Sequence, residues 1–176
     1  YLVDPTGTGE ERAIPEDVVL KRWRRREMSD YSFHGCRLGP NLWRAVDRSL
    51  GRRADLLCRL TTDEIDAARR GLRLDDETRH LWVSEARAVW ALFNGLGPSR
   101  LQRILDRHLA PEREGRFGTP DLFLYARKVG CPATAFIRLV EVKRPRERVS
   151  PDQHEEIAFL WSIGVPARVL RLIERS

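Results

Sequence analysis

Residues 140–145 read Val-Glu-Val-Lys-Arg-Pro, in a chain that has only three lysines. One of the three, Lys143, stands two places after Glu141 within a run of apolar β-formers. Alternate side chains of a strand share a face, so Glu141 and Lys143 project together while Val140 and Val142 project the other way. A buried ion pair is often no better for stability than an apolar pair of the same size. The notch is therefore either solvated or chemical. A second phrase some twenty residues upstream, "GTPDLFLY" at 118–125, places Asp121 directly after Pro120 at the head of another run of strand formers. An end-of-strand carboxylate at Asp121 would face Glu141 across the hairpin.

One carboxylate beside a lysine repels a phosphodiester, but two carboxylates hold a divalent cation that accepts a phosphate oxygen. Asp121 and Glu141 are thus candidate ligands for Mg²⁺ or Mn²⁺, with the backbone carbonyl of Val142 as a third donor. Lys143 is the candidate to orient or deprotonate the attacking water and to offset charge on the phosphate.

The remaining composition agrees with a polyanionic partner. Lys and Arg total 32 against 26 acids, for a net charge of +6, and nearly all the cations are arginine, whose fork matches phosphate oxygens. A GC-rich genome, whose codons favour arginine, would give the same balance. With 41% hydrophobic and 33% charged residues in a 176-residue chain, one globular domain, or one domain with a sizeable insertion, is expected. Three cysteines (Cys36, Cys58, Cys131) without C-x-x-C spacing indicate neither a zinc site nor a disulfide framework. A reducing compartment fits, a bacterial cytoplasm near the nucleoid or a eukaryotic nucleus. The chain opens on Tyr1, the expectation for a piece of a longer protein with further domains.

Residues 1–13 read as a flexible lead-in. A helix follows from Pro15, with Glu16, Leu20, Trp23 and Glu27 on one face, so Glu16 sits at the end of an apolar stripe, either as solvated surface or as a reserve metal ligand. Residues 42–110 are dense in Leu, Ala and Arg at helical spacing and predict about four helices, one of them over 75–93, and no strands. Strands are expected at 121–125 and 136–143. A helix capped by Ser150 with Pro151 at its first position comes next, and "VPARVLRLI" closes as a strand. This order implies a mixed α/β sheet. Ser150-x-x-Gln153 has capping-box spacing. Gln153 also lies one turn before Ile157 and Trp161 on the expected apolar face, so it is aimed at the site as well. Arg144, Arg146 and Arg148 follow the second strand, either gripping a phosphate backbone or forming a solvated charge run.

Together, "GTPDLFLY" and "VEVKRPRERVSPDQ" resemble the PD…EXK nuclease superfamily, and within it the VRR-NUC branch, patterned as G-x-PDL, EVK and Ser-x-x-Gln. The layout from about Glu16 onward is similar to the C-terminal nuclease domain of the Fanconi-associated nucleases, with a helical insertion at about 42–115 within a domain spanning 14–176. The resemblance implies a restriction-endonuclease-like mixed sheet flanked by helices. It implies Mg²⁺- or Mn²⁺-dependent hydrolysis of DNA, with 5′ flaps or other branched structures as substrate, in DNA repair. It implies Asp121, Glu141, Lys143 and Gln153 at the active centre, and a monomer, because the insertion would block the dimer of the stand-alone members. One departure stands out. Relatives with the insertion carry a metal-binding glutamate in His-Gly-Glu-Gly, where this chain reads His34-Gly35-Cys36-Arg37. A thiol is a poor ligand for Mg²⁺. The alternatives are a catalytically weakened nucleic-acid-binding module, a junction resolvase of the stand-alone type, and a nuclease of restriction or RNA type sharing the fold.

Overall fold

The computed structural model describes residues 14–71, 85–111, 118–131 and 133–173. The lead-in expected over 1–13 and the first part of the helix expected over 75–93 lie outside the described residues. The first helix, α1 (Pro15–Arg24), has Pro15 in its first turn with Glu16 and Asp17 beside it, and Lys21, Arg22 and Arg24 in its last turn. Both ends therefore suit the helix dipole. It buries Val19, Leu20 and Trp23.

The next element is a strand, β1 (Tyr31–Arg37), that the sequence reading did not predict. Polar residues and a central glycine hide its period. Gly35 is there for space: a Cβ at this position would stand 2.8 Å from side-chain carbons of both Leu20 and Leu124, so α1 can cross the strand closely only over a glycine.

Four helices follow among the described residues: α2 (Leu42–Leu50), α3 (Ala54–Leu57), α4 (Thr62–Gly71) and α5 (Ala86–His108). The cap of α4 is Thr61. Its hydroxyl accepts from Glu64 N–H at 3.3 Å, while Glu64 accepts from Thr61 N–H at 2.8 Å. The Gly97-Pro98 break kinks α5, Gly97 taking φ 72° and ψ 165°. Two residues earlier α5 crosses the sheet, and a Cβ on Gly95 would collide with Cγ2 of Ile137. Gly95→Ala should therefore destabilise the chain by about 1–3 kcal/mol in a urea melt, despite the better helix propensity of alanine.

After α5 come β2 (Leu122–Lys128), β3 (Thr134–Lys143), α6 (Pro151–Ser162) and β4 (Ala167–Arg171). The sheet order is β1-β2-β3-β4, antiparallel except for the parallel β3/β4 pair. This is the mixed sheet expected. One face, with Phe123, Tyr125, Ile137 and Leu139, packs against the helices from α2 to α6. The other, with Leu122, Leu124, Val140 and Val142, packs against α1. The buried side of α6 differs from expectation. Glu156 and Leu160 face inward, Ile157 is half-buried, and Trp161 is 60% exposed. The cause is an acidic residue taken into the interior by partners on α5.

Candidate active site

The β2/β3 register ends with Leu122 opposite Val140, so one step further puts Asp121 opposite Glu141 on the face shared with Phe123 and Leu139. Beyond that point β3 runs on to Lys143 paired only to β4, and its other edge is open. Asp121 occupies that edge. Its Oδ2 accepts the Val142 N–H at 2.7 Å. In a strand the N–H and C=O of one residue leave by the same edge, so the Val142 carbonyl also points to the Asp121 side.

Glu141 and Lys143 are 3% and 5% exposed, so the notch is buried rather than solvated. Lys143 Nζ lies 2.9 Å from Glu141 Oε1 and 3.1 Å from Glu147 Oε1. Gln153 Nε2 donates to the same Glu141 oxygen. The Gln153 carbonyl meanwhile accepts the Ser150 N–H at 2.9 Å, and its backbone N–H donates to Ser150 Oγ at 3.2 Å. Gln153 therefore closes the capping box and reaches Glu141 at once: the cap fixes the side chain, and its free amide end holds Glu141.

Charge in the notch is unbalanced. Burial pushes the carboxyl pKa of Asp121 up, and Glu16 and Glu147 add to it, against the Val142 N–H and Lys143. Burial likewise raises Glu141, with Asp121 and Glu147 adding, against Lys143. For Lys143 burial works downward, but its bonds to Glu141 and Glu147 outweigh it and hold the ammonium above the ordinary lysine range. Asp121 Oδ1 and Glu141 Oε2 receive no hydrogen bond among the described residues. Two carboxylate oxygens left over in an acid-rich pocket, beside an open carbonyl, are the hard-donor set that suits Mg²⁺ or Mn²⁺. Among the described residues no three His, Cys, Asp or Glu side chains gather as a metal cluster. Half-buried Glu16, in the first turn of α1, adds its field at Asp121 without joining such a cluster.

Cys36 lies opposite Phe123 on the site's face, partly buried against the core, while Leu38 N–H donates to the Asp121 carbonyl at 2.8 Å. Cys36 is thus a diagonal neighbour of Asp121 across β1 and β2. His34 stacks on Tyr125, 5.2 Å between ring centroids, a packing role. Arg144, Arg146 and Arg148 are exposed in the loop after β3. Glu147 ties that loop to the notch by accepting the Arg144 N–H at 3.0 Å, and Arg171 clamps it through the Glu147 carbonyl at 2.6 Å. Glu147 and Arg171 escaped the sequence reading. The spacing of Glu147 four residues after Lys143 was the available signal.

The family model described as "VRR-NUC domain" matches residues 74–172. Among solved structures, paFAN1 bound to DNA with a 2-nucleotide 5′ flap and a gap is similar at TM-score 0.56 and 18% identity, over 95% of this chain and 36% of that one. The same protein with a 1-nucleotide flap is similar at TM-score 0.51 and 20% identity, over 94% and 36%. The chain spans about a third of those solved chains. No curated protein sequence matches it.

Proposed function

We propose, from the premise that this chain belongs to the VRR-NUC domain family, that it hydrolyses DNA phosphodiester bonds with a divalent cation, acting on 5′-flap or related branched DNA in repair. The observation that carries this reading is half-buried Asp121 facing buried Glu141, with Lys143 and Gln153 bonded to Glu141. A buried lysine and two acids with open oxygens contribute little to stability, and they match what hydrolysis of a phosphodiester needs.

In this reading Asp121, Glu141 and the Val142 carbonyl hold Mg²⁺ or Mn²⁺, which when bound polarises the phosphate and lowers the pKa of water. Lys143 keeps its proton at neutral pH, so it donates hydrogen bonds to the attacking water and to the phosphate oxygens rather than removing a proton. Gln153 is a positioning residue that fixes the Glu141 carboxylate. Arg144, Arg146 and Arg148 take up the phosphate backbone beside the notch.

Cys36 supports a second reading, a DNA-binding module on a weakened nuclease, because it stands beside Asp121 where inserted relatives resemble one another in carrying glutamate. Cleavage of 5′-flap, four-way-junction, duplex and RNA substrates with Mg²⁺ and Mn²⁺ tests both. We expect flap cleavage by the wild type, lost in Asp121→Ala with DNA affinity kept within about 3-fold, since the lost group contacts the cation and not the backbone arginines. A silent wild type restored by Cys36→Glu would establish the second reading. Preference for the four-way junction would point to resolvase activity.

A further inference from the structure

The sheet face turned away from Asp121 and Glu141 carries a second concentration of positive charge. Parity along β3 places Arg138 with Val140 and Val142, and the pairing of Val140 with Arg168 places Arg168 on that same face. Arg26, just beyond the C-terminus of α1, joins them, its guanidinium 4.5 Å from the centroid of the Trp23 ring. Trp23 in turn meets the edge of Phe136 at 5.8 Å, and Phe136 is 38% exposed.

Arg26 and Arg168 are exposed and Arg138 is half-buried. Among the described residues none of the three has a carboxylate within ion-pair distance, whereas Arg37, Arg52, Arg53, Arg70 and Arg107 each have one. Burial, then Arg168, then Arg26 press the Arg138 pKa below the ordinary arginine value, so the three charges repel one another. The helix dipole accounts for a cation at the end of α1 but not for two more on the strands beneath it. Like charges gathered without counter-charges, around edge-packed aromatic rings of which Phe136 is exposed, suit a ligand that brings the anions.

We propose that Arg26, Arg138 and Arg168, with Phe136, form a second nucleic-acid contact that grips the phosphate backbone of a duplex arm on the face opposite the cleavage notch. The choice of DNA as the polyanion rests on the function proposed above. From Arg138 to Lys143 is about 16 Å along the strand, with the sheet in between. One strand passing through the notch does not reach both places, but a branched substrate has arms that leave in different directions.

The test uses Lys143→Ala chains, so that substrate is not consumed, and measures anisotropy of a labelled three-armed 5′-flap DNA and of a single strand of equal length. Salt runs from about 50 to 200 mM. Arg26→Gln/Arg138→Gln/Arg168→Gln is compared with Arg52→Gln/Arg53→Gln/Arg59→Gln, which removes equal charge from the helical insertion. The cluster variant should bind the flap DNA at least about 10-fold more weakly, with a log–log salt slope shallower by about 2–3, while the single strand loses less and the control little. Because Arg138 is half-buried, the exposed pair Arg26→Gln/Arg168→Gln is measured too, with melting temperatures for all; its slope should fall by about 2. An unchanged slope, or equal losses in cluster and control variants, would overturn the proposal. A wild type that cleaves nothing, with the slope change still present, would overturn the nuclease reading and leave this surface standing.

Discussion

Lys143→Ala should lower the single-turnover rate of metal-dependent flap cleavage by about 10²–10³-fold, the usual loss for one preorganised donor to developing charge. Its ammonium lies 2.9 and 3.1 Å from two carboxylates in a place that is 5% exposed, so it is already aimed before substrate arrives. The loss should fall on kcat and leave KM within about 3-fold, because the loop arginines that meet the backbone remain. The pH profile gives an independent readout. Burial and Asp121 already raise the Glu141 carboxyl, and Lys143 is what opposes them. Without that cation Glu141 holds its proton to higher pH, so the acid limb of the residual activity should move upward. Lys143→Arg keeps the charge but brings a wider planar fork into a buried site, and should recover only part of the rate. Full activity in Lys143→Ala would refute the role assigned to this residue.

The heart of the site was legible because it is local. A proline marks where Asp121 heads its strand, strand parity puts Glu141 and Lys143 on one side, and a capping spacing holds Gln153. What the sequence hid depends on distant partners. β1 was missed because Gly35 and its polar neighbours follow no period, and their reason is the crossing of α1, about fifteen residues earlier in the chain. Trp161 was placed on the buried side of α6 because an apolar ring outranks a glutamate in any hydrophobic pattern. The structure reverses that order, since Glu156 meets Arg107 and His108 from 49 and 48 residues upstream. The gathering of Arg26, Arg138 and Arg168 is invisible for the same reason: three elements supply one arginine each.

Glu156→Ala should be the most destabilising of these substitutions, by about 3–5 kcal/mol, because it removes from the interior the carboxylate that Arg107 and His108 share. Glu156 is 1% exposed; its Oε2 accepts from Arg107 Nε at 3.0 Å and its Oε1 lies 2.9 Å from His108 Nε2. The melting temperature should fall by roughly 6–20 °C for a chain of this length. The pH dependence identifies the cause. Burial pushes the Glu156 carboxyl up, but the bonds and charges of His108 and Arg107 outweigh it, so its pKa in the folded chain lies below the ordinary value. A carboxylate depressed on folding stabilises fully above its unfolded pKa of about 4.3 and loses that contribution as pH falls through the folded value. Wild type and Glu156→Gln should therefore differ most near neutrality and converge in acid. The consequence reaches the notch, because α6 carries both Glu156 and Gln153, and Gly118 of the Asp121 loop packs where a Cβ would stand 3.3 Å from the Glu156 Cβ. Equal melting temperatures for Glu156→Gln and wild type at neutral pH would mean that the buried charges contribute nothing net and that apolar packing alone seats α6 against α5.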